Sequence, residues 1–301
     1  MTARATLRAL PVAAVQAPPL APGAGVAAFA EGVTALCAAF PQTRLAVYPE
    51  LHLNPESGEA LRDAAEPLTG PRVRALRELA GDLGLWLVPG SVAECGPQGQ
   101  LFNTALLLSP EGELTASYRK IFPWRPYEPF DPGTAFTVAE LPGVGRLGFS
   151  ICFDAWFPEV ARHLAWMGAE VIVNVVRTTT CDRAQEVVLA RASAIMNQVF
   201  VVSVNAAGPL GTGQSLIVDP EGLVRASVPG AEATVLTDVL GLDHVERVRA
   251  YGTAGLTRVW SQFRPGDPPL PLPLYGGQID PARWNREPAD MPECGGEVMP
   301  G

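Results

Sequence analysis

Gly148-Phe149-Ser150-Ile151-Cys152-Phe153-Asp154-Ala155-Trp156-Phe157-Pro158-Glu159 decides how this 301-residue chain is read. An apolar run ends at a thiol, and Pro158 marks a helix start, because proline fits the first helical turn, where its missing N–H is no loss. Cys152 therefore stands between a buried strand and a helix, which is where a nucleophile is displayed. A helix N-terminus and a nearby cation lower a thiol's pKa, so a raised thiolate fraction is expected there. The competing reading is a small buried apolar residue, the usual fate of a cysteine.

Working outward, strand and helix signals alternate. Strands are predicted over 146–151 and 171–175, around a helix over 157–167 with Val160, Leu164 and Met167 on one face. A helix over 184–198 and a strand over 199–205 follow. Upstream, strands over 11–16 and 44–48 flank an amphipathic helix over 26–40. A helix over 71–83 carries Val73, Leu76, Ala80 and Leu83 on one face, with Thr69 as its capping candidate. Strands over 85–88, 101–108, 215–218, 223–228 and 234–238 complete the sheet material. Ser109-Pro110-Glu111-Gly112 and Asp219-Pro220-Glu221-Gly222 read as hairpin turns, with proline supplying φ near −65° and glycine the reversal. Such alternation predicts an α/β layered fold. The domain is expected over 7–260. A proline-rich extension over 261–301, with Pro265, Pro268, Pro269, Pro271 and Pro273, excludes helix and central strand. It reads either as a disordered end or as an arm on a neighbouring subunit, and Leu270, Leu272, Leu274, Tyr275 and Trp284 favour the arm.

Composition narrows the function. The 22 basic and 31 acidic residues give a net charge of −9, which repels nucleic acid and anionic lipid, so neither is an expected partner. Five cysteines with no C-x-x-C pair, and three histidines, indicate neither a disulfide framework nor a metal site. The expected setting is a reducing cytoplasm. No run offers the ~18 apolar residues of a membrane span, and no targeting peptide is read at the N-terminus.

A cysteine hydrolase needs a base. His52 follows Glu50 closely, His163 reads as a surface or capping group, and His244 looks solvated among Asp243, Glu246 and Arg247; none has a recognisable partner motif. The remaining option is a carboxylate supported by lysine. Val47-Tyr48-Pro49-Glu50-Leu51 ends an apolar strand on an acid placed for proton transfer. Tyr118-Arg119-Lys120-Ile121-Phe122-Pro123-Trp124-Arg125-Pro126-Tyr127-Glu128 holds the one lysine of the chain, and a compact ammonium kept among so many arginines points to a specific use. An exposed lysine is the plain alternative.

Together these segments resemble the nitrilase, or carbon-nitrogen hydrolase, superfamily, whose catalytic glutamate, lysine and cysteine occur in this order. They match Glu50, Lys120 and Cys152, and the likeness runs from about residue 10 to 250. The spacing from Lys120 to Glu128 and to Cys152 resembles the aliphatic amidase and formamidase branch, which implies that Glu128 supports the site and that Trp124 lines the pocket. Leu51 departs from that branch, which tends to carry tyrosine there. The resemblance implies a four-layer α-β-β-α sandwich, a homodimer or larger homo-oligomer, and hydrolysis of a small amide-like substrate by water through a thioester, with no cofactor or metal. Tyr127, Phe153 and Trp156 are expected around the substrate, and Arg177 with Thr178 to Thr180 on the far wall. Core packing is the alternative for the aromatics, above all for Phe122. N-carbamoyl compounds and nitriles follow plain amides as candidate substrates. Rival readings are an acyltransferase, a thiol redox sensor using Cys152 and Cys181, and a non-catalytic binding protein.

Overall fold

The computed structural model describes residues 8–21, 23–54, 58–262, 264–272 and 274–279. Its strands are β1 (Ala9–Gln16), β2 (Leu45–Val47), β3 (Trp86–Val88), β4 (Ser91–Cys95), β5 (Leu101–Leu108), β6 (Leu114–Arg119), β7 (Val138–Leu141), β8 (Gly145–Ile151), β9 (Val171–Val176), β10 (Phe200–Asn205), β11 (Leu216–Val218), β12 (Val224–Ser227) and β13 (Thr234–Gly241). The helices are α1 (Gly25–Ala39), α2 (Gly58–Asp63), α3 (Pro71–Leu83), α4 (Pro158–Trp166), α5 (Arg183–Asn197) and α6 (Asp243–Tyr251).

Two sheets form. One runs β13-β1-β2-β3-β5-β4, with β6 also paired to β5; the other runs β12-β11-β10-β9-β8-β7. Pairing is parallel along β1-β2-β3 and β8-β9-β10, and antiparallel elsewhere. Side chains alternate across a strand, so each strand feeds two layers. Val12, Ala14, Leu45, Val47 and Leu107 of the first sheet meet Leu147, Phe149, Ile151, Val173 and Val202 of the second in one core. The neighbours in opposite phase, Ala13, Val15, Ala46 and Leu106, pack on Phe29, Val33, Val73 and Leu76 of α1 and α3. On the far side Ile172, Val201 and Leu216 pack on Val160, Leu164, Ala190 and Ala194 of α4 and α5. The order of layers is therefore helix, sheet, sheet, helix, as expected. Residues up to Ser261 make one compact unit and those from Gln262 a second.

Several local expectations need correction. Thr69 does not cap α3. The N-cap is Gly70, without a side-chain bond, and Glu66 accepts the Arg72 N–H at 2.9 Å instead. Met167 is the C-cap of α4 and is largely exposed, not part of its buried face. His244 is not simply solvated: α6 forms around it, and its Nε2 lies 2.8 Å from Glu221. Apart from these corrections, Leu270 and Leu272 of the extension are exposed on the single chain, as residues of an arm reaching a neighbouring subunit would be, and Trp284 lies outside the described residues.

Candidate active site

Glu50, Lys120 and Cys152 each stand just beyond a strand, respectively β2, β6 and β8, and the facing sheets bring those ends together. Active groups gather at strand ends because the sheet holds the backbone firmly while leaving the next side chain unpaired. Gly90, at φ +89, passes so close to the Pro49 carbonyl that any Cβ would collide with it, which fixes the turn carrying Glu50. The Glu50 N–H reaches across to the Val176 carbonyl of β9 at 3.3 Å, joining the two sheets at the site. Lys120 is held by its N–H on the Asn103 carbonyl at 2.9 Å and by the Gly133 N–H on its own carbonyl at 2.8 Å.

The side chains converge. Lys120 Nζ donates to Glu50 Oε1 at 3.1 Å and to both oxygens of Glu128 at 2.8 and 2.9 Å, with the lysine fully buried. Asn103 Nδ2 donates to Glu50 Oε1 at 2.7 Å, and the Trp124 N–H donates to Glu128 Oε2 at 2.9 Å. Burial works against the ammonium's charge, yet Glu50, Cys152 and Glu128 outweigh it and raise the Lys120 pKa above that of an ordinary lysine.

Cys152 does not open α4 directly. Cys152–Trp156 forms a 3₁₀ turn and α4 begins at Pro158 after it. Cys152 takes φ 47°, a left-handed conformation costing an L-residue about 1–2 kcal/mol, and such strain collects where a side chain is displayed for chemistry. Asp154 pins the turn. Its carboxyl accepts the N–H groups of Ile151 (3.0 Å) and Phe122 (2.8 Å) and the Tyr118 hydroxyl (2.8 Å). Burial pushes the Asp154 carboxyl up to about 6 against the pull of Lys120 and those donors.

The expected lowering of the thiol pKa is reversed. Part of Cys152 stays open to solvent, but burial of its sulfur, then the negative charge of Glu50, Glu186 and Glu128, raise it well above an ordinary cysteine, and Lys120 only partly compensates. A sulfur so placed favours the thiol form over the thiolate.

The other expected residues are distributed around this cluster. Trp124 is tied to Glu128 and packs against Tyr127, ring centres 4.4 Å apart, with Tyr127 itself 70% exposed. Phe153 and Trp156, 6.1 Å apart, share the 3₁₀ turn, and Phe122 stacks on Phe157 beside the core of α4 and α5. Arg177 follows β9 and donates to the Asn54 carbonyl at 3.3 Å. His52 is not with the cluster chemically: it is buried against Phe29 and Tyr48, and burial lowers its pKa to about 4. His163 lies exposed, stacked on Phe136. Thr178, placed loosely on the far wall, in fact lies 3.8 Å from the sulfur. Asn103, Glu186 and Arg183 carried no sequence signal. Among the described residues no group of three or more His, Cys, Asp or Glu side chains could hold a metal ion, and no helix is long and apolar enough to cross a membrane.

Comparison with known proteins places these observations. A formamidase from Pseudomonas syringae pv. tomato is 32% identical over 216 residues, covering 70% of this chain and 64% of that protein. A formamidase from Bradyrhizobium diazoefficiens is 31% identical over 211 residues, covering 68% of this chain and 62% of that protein. The chain thus aligns with a little under two thirds of the length of these relatives. Among solved structures, a Saccharomyces cerevisiae member of branch 10 of the nitrilase superfamily superposes with a TM-score of 0.74 at 27% identity, over 81% of this chain and 94% of that one. The amidase from Nesterenkonia sp. AN1, solved in complex with butyramide, superposes with a TM-score of 0.68 at 26% identity, over 80% of this chain and 94% of that one. The carbon-nitrogen hydrolase family model matches residues 11–250, from β1 into α6 and through every strand of both sheets, so the chain belongs to the carbon-nitrogen hydrolase family.

Proposed function

We propose that this protein hydrolyses the carbon-nitrogen bond of a small amide through a Cys152 thioester. The observation that carries the reading is the Glu50–Lys120–Glu128 cluster, bonded at 2.8–3.1 Å around a fully buried ammonium, whose charges all act on the Cys152 sulfur. Glu50 takes the thiol proton as the sulfur bonds to the carbonyl carbon, and returns it to the nitrogen as the C–N bond breaks and ammonia or amine leaves. Glu50 then accepts a proton from water, whose oxygen attacks the thioester; the acid departs and the thiol is restored.

In both steps the carbonyl oxygen becomes an oxyanion. The Lys120 ammonium and the Phe153 N–H are the donors offered to it, and losing one such donor typically costs ~100–1000-fold in rate. Glu128 keeps the ammonium charged and aimed, and leaves an acceptor for a substrate amino group. Trp124, Tyr127, Phe153 and Trp156 border the substrate, and Arg177 stands at the outer wall.

Relatives named formamidase and amidase, one solved with butyramide, make formamide and short aliphatic amides the leading substrates. The test is ammonia release across formamide, short aliphatic amides, ω-amides, N-carbamoyl amines and nitriles, with Cys152→Ala as the blank. Turnover on the short amides that disappears with the thiol supports the reading, and a flat response throughout overturns it. The expected homodimer or larger assembly draws support from exposed Trp166 and Met167 at the end of α4 and Ile195 and Met196 on α5. Light scattering checks it, and a monomer at all concentrations would contradict it.

A further inference from the structure

A second buried charged group lies one hydroxyl away from the sulfur and has no part in the scheme above. Thr178 Oγ1 lies 3.8 Å from Cys152 Sγ and 2.9 and 2.8 Å from the two oxygens of Glu186. Glu186 pairs at 3.0 Å with Arg183 Nη1. The Arg183 guanidinium, 1% exposed, is itself fastened to the carbonyls of Gly213 (3.2 Å) and Gln214 (3.0 Å) and to Ser203 Oγ (3.2 Å). The Thr178 backbone is locked too: its N–H donates to Asn205 Oδ1 at 2.9 Å and its carbonyl accepts from Thr212 Oγ1 at 2.9 Å. Each of these groups is therefore held by more than one bond.

A hydroxyl has one hydrogen to give, and a carboxylate only accepts. With that hydrogen committed to Glu186, Thr178 presents only lone pairs to the sulfur. The one hydrogen bond the geometry then allows between them runs from the thiol to Thr178. A partner that accepts from the neutral form favours that form.

Resting on the reading of Cys152 as nucleophile, we propose that Thr178, set by the positioning residues Glu186 and Arg183, is the resting acceptor of the Cys152 S–H. The arrangement keeps the sulfur as a thiol, poorly reactive toward passing electrophiles and oxidants, and leaves its proton to be taken by Glu50. The charged groups facing the sulfur are Glu50 beyond β2, Lys120 beyond β6, Glu128 in the following loop, and Glu186 with Arg183 on α5. All but the last pair belong to the reaction, so the last pair is the lever that can be altered without removing the base or the oxyanion donor.

The test is the pH profile of Cys152 alkylation by iodoacetamide, followed by peptide mass spectrometry on the full chain because other thiols are present. Glu186→Gln supplies an amide that can donate to Thr178, freeing the hydroxyl hydrogen to turn toward the sulfur. The alkylation midpoint should fall by roughly one pH unit, with about tenfold faster labelling below it. Thr178→Ser keeps the hydroxyl and should keep the parent profile. In a Thr178→Val background the Glu186→Gln shift should shrink to less than half, because the hydroxyl that transmits it is gone. An unmoved midpoint in Glu186→Gln, or an undiminished shift with Thr178→Val, overturns the proposal. If Glu186→Gln does not fold, pairing it with Arg183→Met, which leaves no guanidinium uncompensated, provides the same reading. Alkylation needs no turnover, so this outcome is independent of the catalytic reading, which fails separately if Cys152→Ala still releases ammonia.

Discussion

Replacing Lys120 by methionine tests how the buried cluster is held together. The ammonium is fully buried and donates three hydrogen bonds at 2.8–3.1 Å to two carboxylates. At about 3 Å and an effective dielectric of about 20, each Coulomb attraction is of order 5 kcal/mol, and desolvation of the three ions opposes most of the sum. Removing one partner of a buried pair nets about 3–5 kcal/mol, because the other charge is left uncompensated. Methionine fills nearly the same volume, so the cavity contribution is small. Urea unfolding near pH 7 should therefore show Lys120→Met destabilised by about 3–5 kcal/mol. A loss below about 1 kcal/mol, the worth of an exposed pair, would refute the reasoning.

Two buried groups impose opposite pH slopes on stability. His52 is lowered to about 4, so the unfolded chain binds its proton first, and stability is lost as pH falls from about 6.5 to 4. Asp154 is raised to about 6, so its contribution is present at low pH and lost as pH rises from about 4 to 6. Each shift corresponds to about 3 kcal/mol, and between pH 4 and 6 the two nearly cancel in the parent. His52→Phe should expose a stability that rises toward pH 4, and Asp154→Asn one that falls, both read from urea midpoints; parallel profiles for the two variants would contradict this. Phe149→Ala, deep between the sheets, should cost about 3–5 kcal/mol in the same assay, and a cost below about 1 kcal/mol would show that the facing layers do not share one core.

Much of the layering was legible because the buried strands are continuous apolar runs. Residues 171–175 and 199–205 cannot be other than interior strands between helices of clear period, and β9 and β10 lie there. What the local pattern does not show lies at sheet edges and on polar helices. Ser91–Cys95 and Val138–Leu141 give no strand signal, because they are short and carry Glu94 and Glu140. The alternating Leu114–Arg119 runs beside β5 with half of its side chains outward, so only the turn before it left a mark. Asp243–Tyr251 carries Asp243, Glu246, Arg247 and Arg249, and its helix is secured by Val245 and Val248 underneath.

The same distinction holds at the site. Glu50, Lys120 and Cys152 stand out because each sits in a distinctive local context, an acid ending an apolar strand, the one lysine and a thiol at an elbow, whereas Glu128 is marked only by the resemblance to the amidase branch. Arg183 and Glu186, three apart on a helix, look like any solvated pair. Their burial follows from α5 lying on β9 and β10, which no local pattern reports. The thiol's ionisation differs from the sequence expectation for a related reason: the pattern shows a helix nearby, but neither the burial of the sulfur nor the charges of Glu50, Glu186 and Glu128 that act on it.

The central claim is that the Cys152 sulfur carries the acyl group between amide and water. Rapid quenching of the enzyme with a short aliphatic amide, followed by peptide mass spectrometry, tests it most directly. The account predicts an acyl mass increment on the peptide bearing Cys152, labile to hydroxylamine and absent from Cys152→Ala. Steady amide hydrolysis with that peptide unmodified, or continued turnover by Cys152→Ala, would contradict it.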